Sequence, residues 1–166
     1  MSQPPDVRIV DFAPHLRGDF ARLNLEWLER WFVVEPIDRE VLENPEKNIL
    51  EGGGHVLFAL LSDSQGERVV GTVALLHEGA GVYELTKMAV APDARGHGIG
   101  RQLLRAAVGV FTGLGGRELF LESSSKLLPA LRLYESAGFV HRPAPRPGSH
   151  YARADVYMVW EGAAAG

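Results

Sequence analysis

The feature that most constrains this chain is a run of three glycines at alternate positions, Gly96, Gly98 and Gly100, in the segment RGHGIG. The segment joins a strand-like run at 82–91 to a helix-like run. Glycines at such a junction let backbone N–H groups approach a phosphate, and the helix adds the positive end of its dipole. We therefore expect a phosphate-binding loop, although a plain turn before a helix is the alternative that glycines alone leave open.

Three phosphate-binding designs compete for this loop. A P-loop ends in Gly-Lys-Ser/Thr, whereas Gly100 is followed by Arg101. A dinucleotide fingerprint, G-x-G-x-x-G, that began at Gly96 would need its third glycine at Arg101. The third design, Arg/Gln-x-x-Gly-x-Gly/Ala, fits Arg95, Gly98 and Gly100. The two arginines would add charge-assisted contacts to the anion.

Composition narrows the class of protein. The 166 residues predict one domain, 1–166, with a core at about 7–161, and the 46% apolar and 23% charged residues are typical of a globular protein. The net charge is -4, and there are no cysteines, no basic tract and no apolar run near the ~20 residues of a membrane span. We therefore expect a cytoplasmic protein that binds neither nucleic acid nor membranes. The N-terminus lacks the pattern of a secretory signal.

Hydrophobic periodicity predicts the order of the elements. Strands are expected at 7–12, 55–62, 68–78, 82–91, 117–123, 139–141 and 155–161. Helices are expected at 14–32, with Gly18 as a candidate break, at 38–42 with Asp38 as its N-cap, after the glycine loop, and at 129–137. A loop is expected at 45–54. This order indicates a mixed α/β sheet with helices on both faces rather than a doubly wound sheet.

Two motifs carry a family resemblance. YELTKMAVAPDARGHGIGRQLLRAA, at 83–107, is similar to the central motif of the GCN5-related N-acetyltransferase (GNAT) superfamily. PALRLYESAGF, at 129–139, resembles the helix and turn that carry the family tyrosine. The resemblance covers about 7–161. It implies the GNAT fold: a mixed, mostly antiparallel sheet of six to seven strands, with helices on both faces and a splayed central strand.

The segment at 23–50 also resembles a subgroup of this family. LNLEWLERWFVVEPIDREVLENPEKNIL is similar to acetyltransferase domains that occur alone or fused behind winged-helix regulators of the MarR type. No winged helix precedes the domain in this sequence, so we expect no DNA-binding role.

The resemblance implies that the anion is the pyrophosphate of acetyl-CoA. On the splayed strand, the backbone of Met88, Ala89 and Val90 would pair with the pantetheine arm and the acetyl carbonyl. A fixed N–H there would stabilise the charge that builds on the thioester oxygen. The implied pyrophosphate contacts come from the whole loop: Arg95, Gly96, His97, Gly98, Ile99, Gly100 and Arg101.

The resemblance also suggests an acid and a base. Tyr134 matches the family tyrosine that protonates the departing thiolate, with a core tyrosine as the alternative. Glu84 matches a catalytic glutamate of some members, and period 2 places Glu84, Thr86 and Met88 on one face of the strand. An alkyl amine has a pKa near ~10, so it needs a base before it can attack. A solvated carboxylate or an ammonium-binding one remains the alternative for Glu84, and Glu122 is the second candidate base.

One position departs from the family pattern. Leu127 stands where many relatives carry an asparagine that contacts the arm of CoA. Ser124 could supply that polar contact instead, and Lys126 could meet a phosphate. A solvated Ser-Ser-Ser-Lys loop is the alternative.

The acceptor would lie between the first helices and the loop before the last strand. Candidates on the two walls are Trp27, Glu35 and Arg39, and Tyr151 and Arg153. An arginine here could clamp a carboxylate, which favours a small amine or an amino acid as the acceptor. A protein lysine or N-terminus, or a non-catalytic acyl-CoA sensor, are the alternatives. A homodimer is compatible with the resemblance. The six histidines show no metal-ligand spacing, so no metal is expected.

Overall fold

A seven-stranded sheet runs through the centre of the structure, a computed structural model that describes residues 6–149 and 154–162. The spatial order of the strands is β1-β2-β3-β4-β5-β7-β6. The strands are β1 Asp6–Asp11, β2 His55–Asp63, β3 Gly66–Gly79, β4 Val82–Val90, β5 Glu118–Ser123, β6 Phe139–Arg142 and β7 Val156–Trp160.

Neighbouring strands pair antiparallel except at the centre of the sheet. β1 to β4 form a meander, and β7 lies between β5 and β6. β4 and β5 pair in parallel because α3 crosses between them. The predicted mixed, mostly antiparallel sheet is confirmed.

Four α-helices flank the sheet in the described chain, with single turns between some of the elements. The helices are α1 Arg17–Trp31, α2 Pro36–Glu43, α3 Ile99–Gly113 and α4 Leu128–Ser136. Within the predicted loop at 45–54, the residues Glu46–Leu50 form a π-helical turn. None of the described helices is long and apolar enough to cross a bilayer.

Two details of the first helices differ from the sequence-based expectation. The predicted helix at 14–32 is divided just before Gly18 rather than at it, since Pro14–Leu16 form a 3-10 turn and α1 begins at Arg17. The N-cap of α2 is Glu35 rather than Asp38. Asp38 is the third helical residue, and its Oδ2 accepts a hydrogen bond from the Glu35 backbone N–H at 2.9 Å. Aspartate serves both positions of a capping box, so its presence alone does not fix the register.

The core divides into two clusters, one on each face of the sheet. Along β2, Val56 and Phe58 pack with α1 and α2, whereas the alternate residues Leu57 and Ala59 pack with α3. The strand is a continuous apolar run because both of its faces are buried. β4 and β5 are thereby fixed between two helical layers.

Removing the Leu103 side chain is expected to loosen α3 from the sheet. Leu103 is 0% exposed in α3. Leu103→Ala should therefore lower the free energy of unfolding by about 3 kcal/mol, through lost burial and the cavity left behind. Denaturant unfolding measures this change. Leu114→Ala is the control, because Leu114 follows the same helix and is 47% exposed, and it should change stability by no more than about 0.5 kcal/mol. Equal losses for the two variants would contradict the packing described.

Candidate functional site

The central strands separate after a short paired stretch. The ladder between β4 and β5 ends at Glu84 and Phe120, although β4 continues to Val90 and β5 to Ser123. A cavity of about 120 Å³ lies at this split. Its described walls come from α1, β4, β5 and the start and middle of α4, and they are Asn24, Trp27, Leu28, Phe32, Glu84, Leu85, Thr86, Lys87, Met88, Leu121, Glu122, Ser123, Ser124, Leu127, Tyr134 and Ala154.

A bulge in β4 lies beside this cavity. Thr86 pairs with Ala74 of β3, but the next pair of the ladder joins Ala89 to Thr72, so Lys87 and Met88 together oppose a single residue. Lys87 has a φ of 56°, which is unusual for a residue with a side chain. The register shift ends the alternation that was expected to place Glu84, Thr86 and Met88 on one face. Lys87 and Met88 therefore both line the cavity.

The glycine loop has the backbone that its sequence predicts. Gly98 is the N-cap of α3 with a φ of 69°, a left-handed conformation that favours glycine. The first hydrogen bond within the helix is donated by the Gln102 N–H to the Gly98 carbonyl at 3.1 Å. As at any helix start, the N–H groups of Ile99, Gly100 and Arg101 are left without a partner inside the helix. The loop is therefore suited to an anion.

Gly100 has a different role from the other loop glycines. A Cβ built on it would lie 3.2 Å from Cδ2 of Leu133 in α4. The first turn of α3 thus packs closely on the helix that carries Tyr134. A side chain at this position would require the Leu133 side chain to move by a few tenths of an ångström.

Tyr134 faces the cavity from α4. Its ring meets that of Phe139 edge to face, with centroids 6.1 Å apart. Burial raises the pKa of Tyr134 to about 12, because the protein around it cannot solvate a phenolate. The hydroxyl group therefore keeps its proton at neutral pH.

Two glutamates line the cavity from opposite sides of the split. Glu84 on β4 is 4% exposed. Glu122 on β5 has a buried Oε1 that finds no hydrogen-bond partner among the described residues. Phe120 pairs with Glu84, and Glu122 is two residues further along β5, so period 2 puts both carboxylates on the same face of the sheet.

The loop from β5 to α4 is held by Asp155, which precedes β7. Asp155 accepts hydrogen bonds from the Ser125 backbone N–H at 2.7 Å and from the Ser125 hydroxyl at 2.6 Å. These bonds lower the pKa of Asp155, and the hydroxyl contributes most. Ser124 is 6% exposed and its hydroxyl accepts the Lys126 backbone N–H at 3.3 Å. Ser124 is thus part of a structured turn on the cavity wall.

Lys126 and Leu127 lie at the end of the same turn. The Lys126 ammonium is 5.2 Å from the centroid of the Phe32 ring, just past the end of α1. Leu127 is the N-cap of α4 and lines the cavity. An apolar side chain thus occupies this part of the wall.

The acceptor candidates from the first helices have separate positions. Trp27 lines the cavity, and its ring centroid is 5.8 Å from that of Phe32. Glu35 and Arg39 are exposed and do not line it. The Arg39 guanidinium is 3.9 Å from the Glu43 carboxylate, a surface ion pair. Tyr151 and Arg153, the candidates from the second wall, lie outside the described residues.

Some cavity residues escaped the sequence-based reasoning. Asn24 is 3% exposed, and its Nδ2 donates to the Phe20 carbonyl at 3.0 Å. Asn24 is three residues before Trp27 and four before Leu28, so the three side chains share one face of α1. This spacing is the signal in the sequence that could have identified Asn24. Lys87 was hidden by the bulge, which no glycine or asparagine marks in the sequence. Within 6–149 and 154–162, no group of acidic, histidine or cysteine residues could hold a metal ion.

Comparison with known proteins agrees with the motifs. A family model described as "Acetyltransferase (GNAT) family" matches residues 21–139. The chain is 31% identical over 157 residues to an uncharacterized N-acetyltransferase of Schizosaccharomyces pombe, a match that covers 87% of this chain and 93% of that protein. More than half of the chain thus matches the family model.

Solved structures share the fold. An acetyltransferase of the GNAT family from Staphylococcus aureus Mu50 superposes with a TM-score of 0.81 at 20% identity, covering 93% of this chain and 98% of that one. The PaiA N-acetyltransferase from Thermoplasma acidophilum, solved in complex with coenzyme A, gives a TM-score of 0.69 at 15% identity, covering 93% and 98% of the two chains. At these identities the likeness is one of fold.

The Asp155 contact predicts a defined pH dependence of stability. Because the pKa of Asp155 is lowered in the folded protein, its contribution is present above the usual value of 3.8 and is lost as the pH falls through the folded value. Asp155→Asn should therefore destabilise the protein at neutral pH, and the difference from the wild type should shrink below pH 3.8. Denaturant unfolding across this range measures it. In the Ser125→Ala background the substitution should have a smaller effect, because only the bond from the backbone N–H of residue 125 remains, and full additivity would contradict the contact.

Proposed function

Because the chain belongs to the acetyltransferase (GNAT) family, we propose that it transfers the acetyl group of acetyl-CoA directly to the amine of a small molecule or amino acid. Acetyl-CoA-dependent N-acetylation is general for this family of acyltransferases. The observation that carries the proposal is the cavity at the β4–β5 split, which has Tyr134 and Glu84 in its walls.

The glycine loop fits the pyrophosphate of the donor. Nothing lies within 4 Å of a Cβ built on Gly96 or Gly98, so the backbone there is open to a ligand. The free N–H groups at the start of α3 would bind the phosphate oxygens, and the exposed Arg95 and Arg101 would add charge. His97 and Ile99 would take part through their backbone.

The splayed edge of β4 would hold the reactive end of the donor. Beyond Glu84 this edge faces the split rather than β5. The backbone groups of Met88, Ala89 and Val90 that do not pair with β3 would bind the arm and the acetyl carbonyl. An N–H aimed at that oxygen stabilises its developing negative charge by a few kcal/mol. Ser124 would add a polar contact at the opposite wall. The ammonium group of Lys126 would bind a phosphate of the donor.

Glu84 would act as the base and Tyr134 as the acid. Glu84 accepts a proton from the acceptor's ammonium group, and the neutral nitrogen attacks the acetyl carbon. The carbon–sulfur bond breaks as Tyr134 donates its proton to the sulfur. The nitrogen loses its second proton as it becomes an amide, and that proton restores the Tyr134 hydroxyl. The sequence has no cysteine that could form an acyl-enzyme, so the acetyl group passes directly between the two substrates.

We also propose that the chain is a single acetyltransferase domain of the subgroup that occurs alone or behind MarR-type regulators. The 23–50 segment supports this, because it forms α2 and most of α1, and α1 supplies Trp27 to the cavity. Members of the family act on small amines and often dimerise, so a homodimer is the expected assembly.

Replacing the Tyr134 hydroxyl is expected to slow turnover without weakening donor binding. Tyr134→Phe should lower kcat by about 10²- to 10⁴-fold, because the departing sulfur loses its proton donor. The assay follows release of the CoA thiol across a panel of amines and amino acids, and calorimetry measures acetyl-CoA affinity. Tyr83→Phe is the control, since Tyr83 is also buried but does not line the cavity.

Other outcomes of this panel would point elsewhere. Acetyl-CoA binding by the wild type without turnover on any amine would indicate a sensor. Acetylation of lysines or N-termini in proteins alone would indicate a protein acetyltransferase. Full activity of Tyr134→Phe at every pH would exclude the tyrosine as the acid.

Replacing Glu84 is expected to produce a loss of rate that depends on pH. Glu84→Gln should lower kcat by about 10²- to 10⁴-fold near neutral pH. The loss should narrow as the pH approaches the amine's pKa of about 10, because more acceptor is then already neutral. Glu78→Gln, on an exposed position of β3, is the control. A raised KM with an unchanged kcat at all pH values would instead indicate that Glu84 only binds the ammonium group.

A further inference from the structure

We propose that Glu122 forms a second acceptor subsite, which binds a positively charged amino group, so that the acceptor is a short diamine. The inference rests on the proposed function, because it concerns the amine that the same cavity admits. Glu84 would act on the amine that becomes acetylated, and Glu122 would hold the other one.

The position of Glu122 sets it apart from Glu84. Glu84 is on β4, and the part of this strand beyond Glu84 would bind the acetyl end of the donor. Glu122 is on β5, across the split. Both carboxylates lie on the same face of the sheet, the face toward α1, and both line the cavity. A molecule that spans the split can therefore meet one carboxylate with each of its ends.

One oxygen of Glu122 is unsatisfied within the described part of the chain. Its Oε1 is buried, and no described residue donates a hydrogen bond to it. A buried acceptor without a donor costs free energy, and more so when it belongs to a charged group. An ammonium group carries three N–H donors and a positive charge, so its binding would remove this cost.

The other walls favour a cation with a short apolar stem. Among the described lining residues, Glu84 and Glu122 are acidic, and Lys87 is the one basic residue. Arg146 places its guanidinium 3.7 Å from the centroid of the Phe120 ring and does not line the cavity. An amino acid acceptor would bring a third carboxylate to this space, whereas the methylenes of a diamine would pack against the rings of Trp27 and Phe32.

The test compares amines that differ only in the second amino group. The initial-rate pairs are 1,3-diaminopropane with propylamine and 1,4-diaminobutane with butylamine, on the full chain with acetyl-CoA. The wild type should prefer each diamine by at least about 10-fold in kcat/KM, as expected for a desolvated charge pair. Glu122→Gln should reduce this diamine-to-monoamine ratio by about 10-fold or more. Glu118→Gln, four residues earlier on the same strand and outside the cavity, should leave the ratio unchanged.

Two further measurements test the role of the Glu122 carboxylate independently of the rate ratio. Glu122→Asp keeps the charge but withdraws it by one methylene, so the preferred diamine should become longer. Calorimetry of the wild type with 1,4-diaminobutane should detect binding that Glu122→Gln weakens, and this readout does not depend on turnover.

Several results would overturn the inference. An equal loss on diamines and monoamines in Glu122→Gln would mean that Glu122 supports the fold or acts as the base. A wild-type preference for amino acids such as 2,4-diaminobutyrate over the matching diamine would give the wrong substrate class. A wild type that acetylates monoamines and diamines equally well would remove the subsite and leave the proposed function intact. Failure on every amine would remove both.

Discussion

The separation of β4 from β5 after Glu84 and Phe120 is the constraint on which the site depends. Paired strands lie about 4.8 Å apart and leave no space between them, so a ligand can enter a sheet only where its ladder stops. Here the ladder stops after three pairs, and a bulge at Lys87 and Met88 follows in β4 beside the gap. The backbone groups freed in this way need partners, and a bound substrate can provide them.

The helices on the two faces keep this gap from closing. Trp27 of α1 and Phe32, the residue that follows the helix, cover it on one side, whereas Tyr134 of α4 faces it from the other layer. The Asp155–Ser125 contact fixes the turn that leads into α4, and the Lys126 ammonium lies over the Phe32 ring. A cavity between two parting strands thus has rigid walls built from elements that are distant in sequence.

Patterns that repeat along the chain made much of the fold predictable. The sheet strands and the helix after the glycine loop follow from periodicity, and the left-handed φ of Gly98 follows from the residue type. The bulge at Lys87 was not predictable, because lysine carries no signal for a positive φ. The same holds for the contact between Asp155 and Ser125, since nothing local pairs residues 30 positions apart.

Within the candidate site, the sequence predicted the residues that belong to a motif. It did not predict the residues that reach the cavity only through packing. Tyr134 was identified by the helix and turn that carry it, and the structure brings it to the cavity. Arg39 was chosen for its charge, but it lies on the surface beside Glu43. Asn24 reaches the cavity only because of the way α1 packs on the sheet, which depends on the rest of the molecule.

The close approach of Gly100 to Leu133 has a mechanical consequence. The turn that would bind the nucleotide end of the donor leans on the residue just before Tyr134. Because Leu133 leaves little room for a side chain at position 100, the glycine lets this turn lie close to the helix that presents Tyr134 to the reactive end of the donor. The part of the donor that never changes chemically can thus set the position of the group that delivers the proton, and small errors in such positioning cost large factors in rate.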